Sequence, residues 1–115
     1  MRITIETDQQ RADLAVVRLE GALEIGVVDR LWQEVSARAE TTARYVLFDF
    51  SRVTIITSAG IGILVRLLVR LRSRGGSLAV FGCSHKICEV LDIVMLKEIL
   101  QVSGSEAAAR ARLTA

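Results

Sequence analysis

The residues with the clearest chemical potential lie between a predicted buried strand and a predicted helix. There Thr57 and Ser58 precede Gly60 and Gly62. Either hydroxyl suits a helix N-cap, because its oxygen accepts a hydrogen bond from a free N–H of the first turn. Small residues leave the helix start open to close approach, and helix N-termini attract anions such as phosphate. The segment therefore predicts a docking or phosphate site. The alternative is that Ser58 is only a cap and that the glycines only pack against the sheet.

Other candidate chemistry is weaker. The glycine spacing matches neither a dinucleotide fingerprint nor a P-loop. Cys83, His85 and Cys88 offer three metal ligands, whereas tetrahedral zinc needs a fourth. We expect Cys88 in the core, His85 in solvent, and no metal site or cofactor. With one histidine and no evident acid–base pair beside a nucleophile, we expect a protein that is not an enzyme.

Arginines recur every four residues along the predicted helix, at Arg66, Arg70 and Arg74. This row is opposite the leucines. It predicts a solvated face, with an acidic partner surface as the alternative.

Hydrophobic periodicity predicts the element order β-β-α-β-α-β-α-β-α. We expect strands at residues 2–7, 14–19, 45–50, 77–81 and 99–102. Gly21 is expected to end the second strand, and a loop is expected between residue 50 and the helix at 58–74. The continuous apolar run at 45–50 is typical of a central strand covered on both faces. The fold class is α/β: one small domain over residues 1–115, with a mixed, mostly parallel sheet of four or five strands and about four helices.

Each predicted helix has an apolar stripe directed at the sheet. The first begins near Val27, the third follows a Ser84 cap, and the last follows a Ser105 cap and frays at Ala115. The expected inward residues are Val28, Leu31, Trp32, Val35 and Ala39 in the first helix, Ile61, Leu64, Val65, Leu68 and Leu71 in the second, and Ile87, Val90, Leu91 and Val94 in the third.

Composition excludes several classes of protein. The 115 residues are 51% hydrophobic with a mean hydropathy of +0.41, yet no apolar run approaches the roughly 18 residues of a membrane span. A net charge of +2 with 4% aromatics argues against nucleic-acid binding. Glu6 lies where the apolar core of a signal peptide would begin. With Cys83 and Cys88 expected to be reduced thiols, these features predict a cytoplasmic protein without membrane insertion.

Three segments resemble the STAS domain, and within it the bacterial anti-sigma factor antagonists. Residues 17–24 are VRLEGALE, similar to V-x-L-x-G-x-L-D. Residues 46–53 are VLFDFSRV, similar to V-x-L-D-L-S-x-V. Residues 56–64 are ITSAGIGIL, similar to x-D-S-S-G-x-G-x-L. The resemblance covers nearly the whole chain and implies a small mixed sheet with helices mostly on one side.

The resemblance also implies a function. Antagonists of this family bind an anti-sigma factor that is also a serine kinase, and phosphorylation of the first serine of the motif breaks the complex. Ser58 matches that serine, whereas Thr57, Ala59 and Glu24 stand where the family has aspartate, serine and aspartate. The family also includes stressosome components and transporter subunits. The alternative function is therefore a constitutive subunit that docks on a transporter ATPase or a stressosome-type assembly.

The expected partner-binding surface surrounds the helix start. A bulky side chain at Gly60 is expected to leave stability intact and to abolish partner binding. The oligomeric state stays open. The residues predicted to contact the partner are Glu24, Thr57, Ser58, Ala59, Gly60 and Gly62.

Overall fold

A mixed five-stranded sheet forms the centre of the protein in a computed structural model that describes residues 1–114. The strands are β1 (Arg2–Thr7), β2 (Leu14–Leu23), β3 (Tyr45–Ile56), β4 (Ser77–Phe81) and β5 (Val102–Ser103). Their spatial order follows the chain, with β1 antiparallel to β2 and the other neighbours parallel. The predicted fold class and the central position of β3 are confirmed.

Helices cover the two faces of this sheet unequally. They are α1 (Ile25–Thr41), α2 (Ser58–Ser73), α3 (His85–Ile93) and α4 (Glu106–Thr114). Side chains of α1, α2 and α3 share one large apolar cluster, while Ala109 and Leu113 of α4 pack in a smaller one. Because successive strand residues point to opposite faces, Phe48 lies in the first cluster and Leu47 in the second. β3 is therefore covered on both faces, as predicted. The expected fraying at Ala115 lies outside the described residues.

The buried stripe of α2 is rotated from the predicted one. Ile61 and Val65 are only half-buried. In α1, Leu31 and Val35 are buried, whereas Val28 and Trp32 are half-buried at its edge. The buried residues of α2 are Gly60, Ile63, Leu64, Leu67, Leu68 and Leu71.

The end of α3 and the start of β5 correct two predictions. Val94 lies beyond the last helical residue and is 45% exposed, so it does not point inward as expected. β5 begins at Val102 rather than at residue 99, because the preceding segment bonds to itself. Leu100 donates its N–H to the Leu96 carbonyl, and Gln101 has a left-handed φ of 52°. These turns keep the segment before Val102 out of a strand, and the Gln101 carbonyl oxygen accepts a hydrogen bond from the Val80 N–H of β4 at 3.3 Å where the pairing begins.

Strands β2 and β3 both continue past their predicted ends. Gly21 has a φ of +113°, yet β2 passes through it to Leu23. β3 extends to Ile56 through the expected loop, and two register shifts accommodate the irregular pairing. Bulges of this kind bend a strand without ending it.

The arginine row of α2 contacts α1 of the same chain. Arg66 lies over the Trp32 ring at 4.4 Å from its centroid. Arg70 pairs with the Glu40 carboxylate at 2.7 Å, and Arg74 donates to the Glu40 carbonyl oxygen at 3.4 Å. The row is therefore the exposed edge of the α1–α2 contact rather than simply a solvated face.

Candidate functional site

The start of α2 is held against the corner between β2 and α1. Ile56 and Leu23 are partners at the ends of the parallel strands β3 and β2. The Leu23 carbonyl oxygen accepts hydrogen bonds from the Thr57 N–H at 3.1 Å and the Thr57 hydroxyl at 3.4 Å. A single residue, Thr57, thus joins β3 to α2. Glu24, the residue after Leu23, is brought to this junction.

Thr57 caps α2 and leaves Ser58 free of that role. Its backbone is extended, and its hydroxyl oxygen accepts a hydrogen bond from the Gly60 N–H at 3.4 Å. Ser58 is the first helical residue and is exposed, while Ala59 is half-buried. The alternative that Ser58 serves only as the cap is therefore wrong.

The two glycines of the motif have different environments. An ideal Cβ on Gly60 would lie 2.4 Å from the Leu23 carbonyl oxygen and 2.9 Å from Leu23 Cγ. The expectation that Gly60 tolerates a bulky residue without loss of stability is therefore wrong, because the clash involves backbone. An ideal Cβ on Gly62 meets nothing within 4 Å, and Gly62 is exposed. Gly60 serves packing, whereas Gly62 is the open position.

Two exposed apolar residues that sequence reasoning missed lie close in the chain to Leu23 and Thr57, which are hydrogen-bonded to each other. Ile25 is 77% exposed and follows Glu24, while Ile55 is 55% exposed and lies three residues before Ser58. Glu24 is the N-cap residue of α1, but its side chain makes no capping hydrogen bond. We call Glu24, Ile25, Ile55, Ser58 and Gly62 the Ser58 surface. The register shifts between β2 and β3 interrupt the regular alternation of buried and exposed residues near Ile55. Hydrophobic periodicity alone could therefore not identify Ile55 as exposed.

The electrostatics of the helix start suit a negative group. The first turn of α2 contains no acidic residue. The positive end of the helix dipole and the free N–H groups favour an anion there by about 0.3–1 kcal/mol. Ser58 lies at this end of the helix, so a phosphate on its hydroxyl would not meet a carboxylate in the same turn.

The motif aspartate Asp49 lies apart from this surface. It accepts hydrogen bonds from Arg18 at 2.7 Å and from the Ser51 N–H and hydroxyl at 2.9 and 2.7 Å. Burial acts to raise the pKa of Asp49, but the bonds from Ser51 and Arg18 outweigh it and hold that pKa below its ordinary value. Asp49 of β3 is paired with Arg18 of β2, and the ion pair between their side chains links the two strands. Asp49 therefore has a structural role.

The cysteine–histidine segment does not bring its candidate ligands together. Cys83 and Cys88 pack against the core. The His85 side chain is 90% exposed and lies 3.2 Å from the Glu89 carboxylate. Within residues 1–114, no group of three or more His, Cys, Asp or Glu side chains is arranged to hold a metal ion.

Three features define the structural class of this small α/β domain. They are the sheet order, the single helix α4 on the second face, and the capped helix start that follows the central strand. The STAS domain family matches residues 4–109, and the chain belongs to this family. A curated relative, the anti-sigma-B factor antagonist of Listeria monocytogenes, is 22% identical over 106 residues, covering 92% of this chain and 93% of that protein.

Solved structures share the fold at low sequence identity. Unphosphorylated SpoIIAA, an anti-sigma factor antagonist, is 19% identical with a TM-score of 0.82, covering 96% of both chains. Phosphorylated SpoIIAA from Bacillus is 18% identical with a TM-score of 0.75, covering 96% of this chain and 98% of that one. A sulfate transporter family protein from Wolinella succinogenes is 23% identical with a TM-score of 0.74, covering 89% and 85%. In the described part of this chain, no helix is long and apolar enough to cross a membrane.

Proposed function

We propose that this protein is an anti-sigma factor antagonist whose Ser58 surface docks an anti-sigma factor with serine kinase activity, and that phosphorylation of Ser58 releases the partner. The observation that carries the proposal is the exposure of Ser58 at the first position of α2, with capping assigned to Thr57. The relative and the SpoIIAA structure are named anti-sigma factor antagonists, which supports the general role. Such a partner fits a cytoplasmic protein.

The Ser58 surface has the mixed character of a protein-docking patch. Exposed Ile25 and Ile55 supply apolar area, and Glu24 supplies a charge that is not used for capping. Interfaces combine an apolar centre with polar groups that fix orientation. Ala59 and the cap Thr57 flank Ser58 in the chain and are both half-buried. The surface contains no histidine and no acid–base pair, which supports a binding role rather than catalysis.

A phosphate on Ser58 would alter the complex more than the fold. It adds about −1.5 to −2 charges at pH 7. In the free protein the helix N-terminus accommodates those charges in water. In the complex they would be desolvated against a surface that fits a small hydroxyl, and an unpaired buried charge costs several kcal/mol. Since about 1.4 kcal/mol is tenfold in affinity, one phosphate is enough to break the interface.

The experiment compares Ser58→Asp with Ser58→Ala against the kinase partner purified from the native host. We expect both variants to fold with the stability of the parent within about 1 kcal/mol, because Ser58 is exposed and neither change creates a clash. The Asp variant should bind at least about tenfold more weakly than the Ala variant. Mass spectrometry of the native protein should find phosphate on Ser58.

The second candidate is a constitutive subunit that docks on a transporter ATPase or a stressosome-type assembly. Thr57 and Ala59 favour it, since they remove the carboxylate and the second hydroxyl that flank the matching serine in the family motif. The shared fold with a sulfate transporter family protein is compatible with it. Equal affinities of the Asp and Ala variants, with no phosphate on Ser58, would favour this second candidate.

The location of the docking surface has its own test at Gly62. A Gly62→Trp variant places a large ring where a Cβ meets nothing within 4 Å, so the fold should survive. We expect partner capture to fall at least tenfold, which corresponds to about 1.4 kcal/mol. Val69→Trp is the matched control, because Val69 is 63% exposed on the same helix but far from its start. Loss of capture by the control alone would place the docking surface elsewhere.

A further inference from the structure

The two cysteines of the chain flank the start of α3. Cys83 immediately precedes the N-cap Ser84, and Cys88 is the fourth residue of the helix. The Ser84 hydroxyl oxygen accepts a hydrogen bond from the Ile87 N–H at 3.2 Å. In a capped helix, the residue before the cap commonly packs against the fourth helical residue. Here that pair is formed by two thiols, which we call the cysteine staple.

The contacts of the cysteine staple agree with this placement. Cys88 Sγ lies 3.8 Å from the Cys83 carbonyl oxygen. Both side chains are partly buried against the main apolar cluster. The preceding turn is restricted, because Gly82 has a φ of +81° and an ideal Cβ there would lie 3.0 Å from the Ser51 nitrogen. A disulfide requires two cysteines whose Cα atoms lie within about 7 Å and whose side chains face each other. The positions before the cap and at the fourth helical residue are the ones whose side chains meet across a helix start.

We propose that Cys83 and Cys88 are a modification site that a hydroperoxide converts into a reversible intramolecular disulfide. The peroxide transfers one oxygen atom to the Cys88 sulfur, giving a sulfenic acid and releasing water or the alcohol. The Cys83 sulfur then attacks the Cys88 sulfur, an S–S bond forms, and the sulfenic oxygen leaves as water with the Cys83 proton. Two thiols and one hydrogen peroxide thus give one disulfide and two waters.

The environment of Cys83 determines how fast the second step runs. Burial, with a further contribution from the neighbouring Cys88 thiol, raises the pKa of Cys83 to about 12. Its thiolate is therefore scarce at neutral pH, and the thiolate is the nucleophile. Closure should accelerate with rising pH. The inference does not rest on the proposed function, since the cysteine staple and the Ser58 surface share no residue.

The experiment treats the full chain with hydrogen peroxide and follows free thiols and intact mass. We expect both thiols to disappear together, with a loss of the mass of two hydrogen atoms, and reduction by dithiothreitol to restore them. The product should be monomeric on a non-reducing gel. In a Cys83→Ser variant, Cys88 should accumulate as a sulfenic acid that dimedone traps, because no second thiol resolves it. Peptide mapping should show a Cys83–Cys88 bond in the parent.

Three outcomes would overturn the proposal. Addition of oxygen atoms without a disulfide would mean that the two sulfurs do not reach each other. Disulfide-linked dimers would mean that they pair between molecules. Equal rates of loss of the Cys83 thiol in the parent and in the Cys88→Ser variant, with circular dichroism confirming the variant's fold, would make the cysteine staple a packing contact only.

Discussion

Helices α2 and α3 both begin after a parallel strand with a hydroxyl cap, yet their starts are stabilised in different ways. At α2, Thr57 bonds to the Leu23 carbonyl, 34 residues away in sequence, and Gly60 packs directly on Leu23. At α3, Ser84 bonds three residues ahead, and the Cys83–Cys88 contact spans five residues. The cap of the first start bonds to a residue of a neighbouring strand, whereas the cap of the second bonds within its own segment.

This difference bears on function. Under the proposed function Ser58 must present its hydroxyl in one orientation, and the contacts of Thr57 with Leu23 restrict the helix start that carries it. Ser58 is next to Thr57, so its position follows the β2–α1 corner, which also carries Glu24 and Ile25. One junction therefore carries residues of the Ser58 surface from two elements. The α3 start carries the cysteine staple, which shares no residue with the Ser58 surface.

The largest expected effect comes from adding a methyl group at the α2 junction. Gly60→Ala should destabilise the protein by about 1–3 kcal/mol, because the new Cβ overlaps the Leu23 backbone and overpacking costs of this order are typical. Chemical denaturation measures it. Gly62→Ala is the matched control in the same turn and should stabilise by about 0.5–1 kcal/mol, since alanine favours the helix and meets no neighbour. Changes of the same sign in both variants would contradict the distinction between the two glycines.

A smaller effect is expected at the α3 cap. Ser84→Ala should cost about 1 kcal/mol, the usual contribution of an N-cap side chain. Because the Ser84 contacts are local, hydrogen exchange should increase in α3 and remain unchanged in α2. Gly60→Ala should instead increase exchange across β2, β3 and α2. Faster exchange in α2 of the Ser84→Ala variant would instead show that the two helix starts are coupled.

The smallest expected effect is a loss of stability caused by ionisation of Cys83. It is absent at neutral pH and appears only in alkaline solution. The pKa of Cys83 in the folded protein, about 12, lies above the ordinary 9.0, so the unfolded chain loses this proton first. Its contribution to stability is complete below pH 9 and is lost as the pH rises toward 12. The slope should stay under about 1.4 kcal/mol per pH unit, because the side chain is partly solvated. Denaturation under reducing conditions should show that the free energy of unfolding falls less steeply above pH 9 in Cys83→Ala than in the parent. Equal slopes in the two proteins would contradict the raised pKa of Cys83.

Local patterns in the sequence were enough to predict the element order, the central β3 and the helix caps at Ser84 and Ser105. Alternation, apolar runs and caps are short-range signals, because each reflects the backbone geometry of a few consecutive residues. The same signals located the segment from Thr57 to Gly62 as the candidate site. The family motif could be recognised in this segment although Thr57 and Ala59 depart from it.

Only the tertiary structure decided how that segment is used. The separation of Gly60 from Gly62 depends on where Leu23 lies, and no pattern within residues 57–62 contains that information. The exposure of Ile25 and Ile55 depends on the irregular pairing of β2 with β3, and the partners of the arginine row belong to α1. The sequence by itself determined which residues form each element. Contacts between residues distant in the chain determined which of them are packed and which remain exposed, because burial is a property of the assembled sheet and helices.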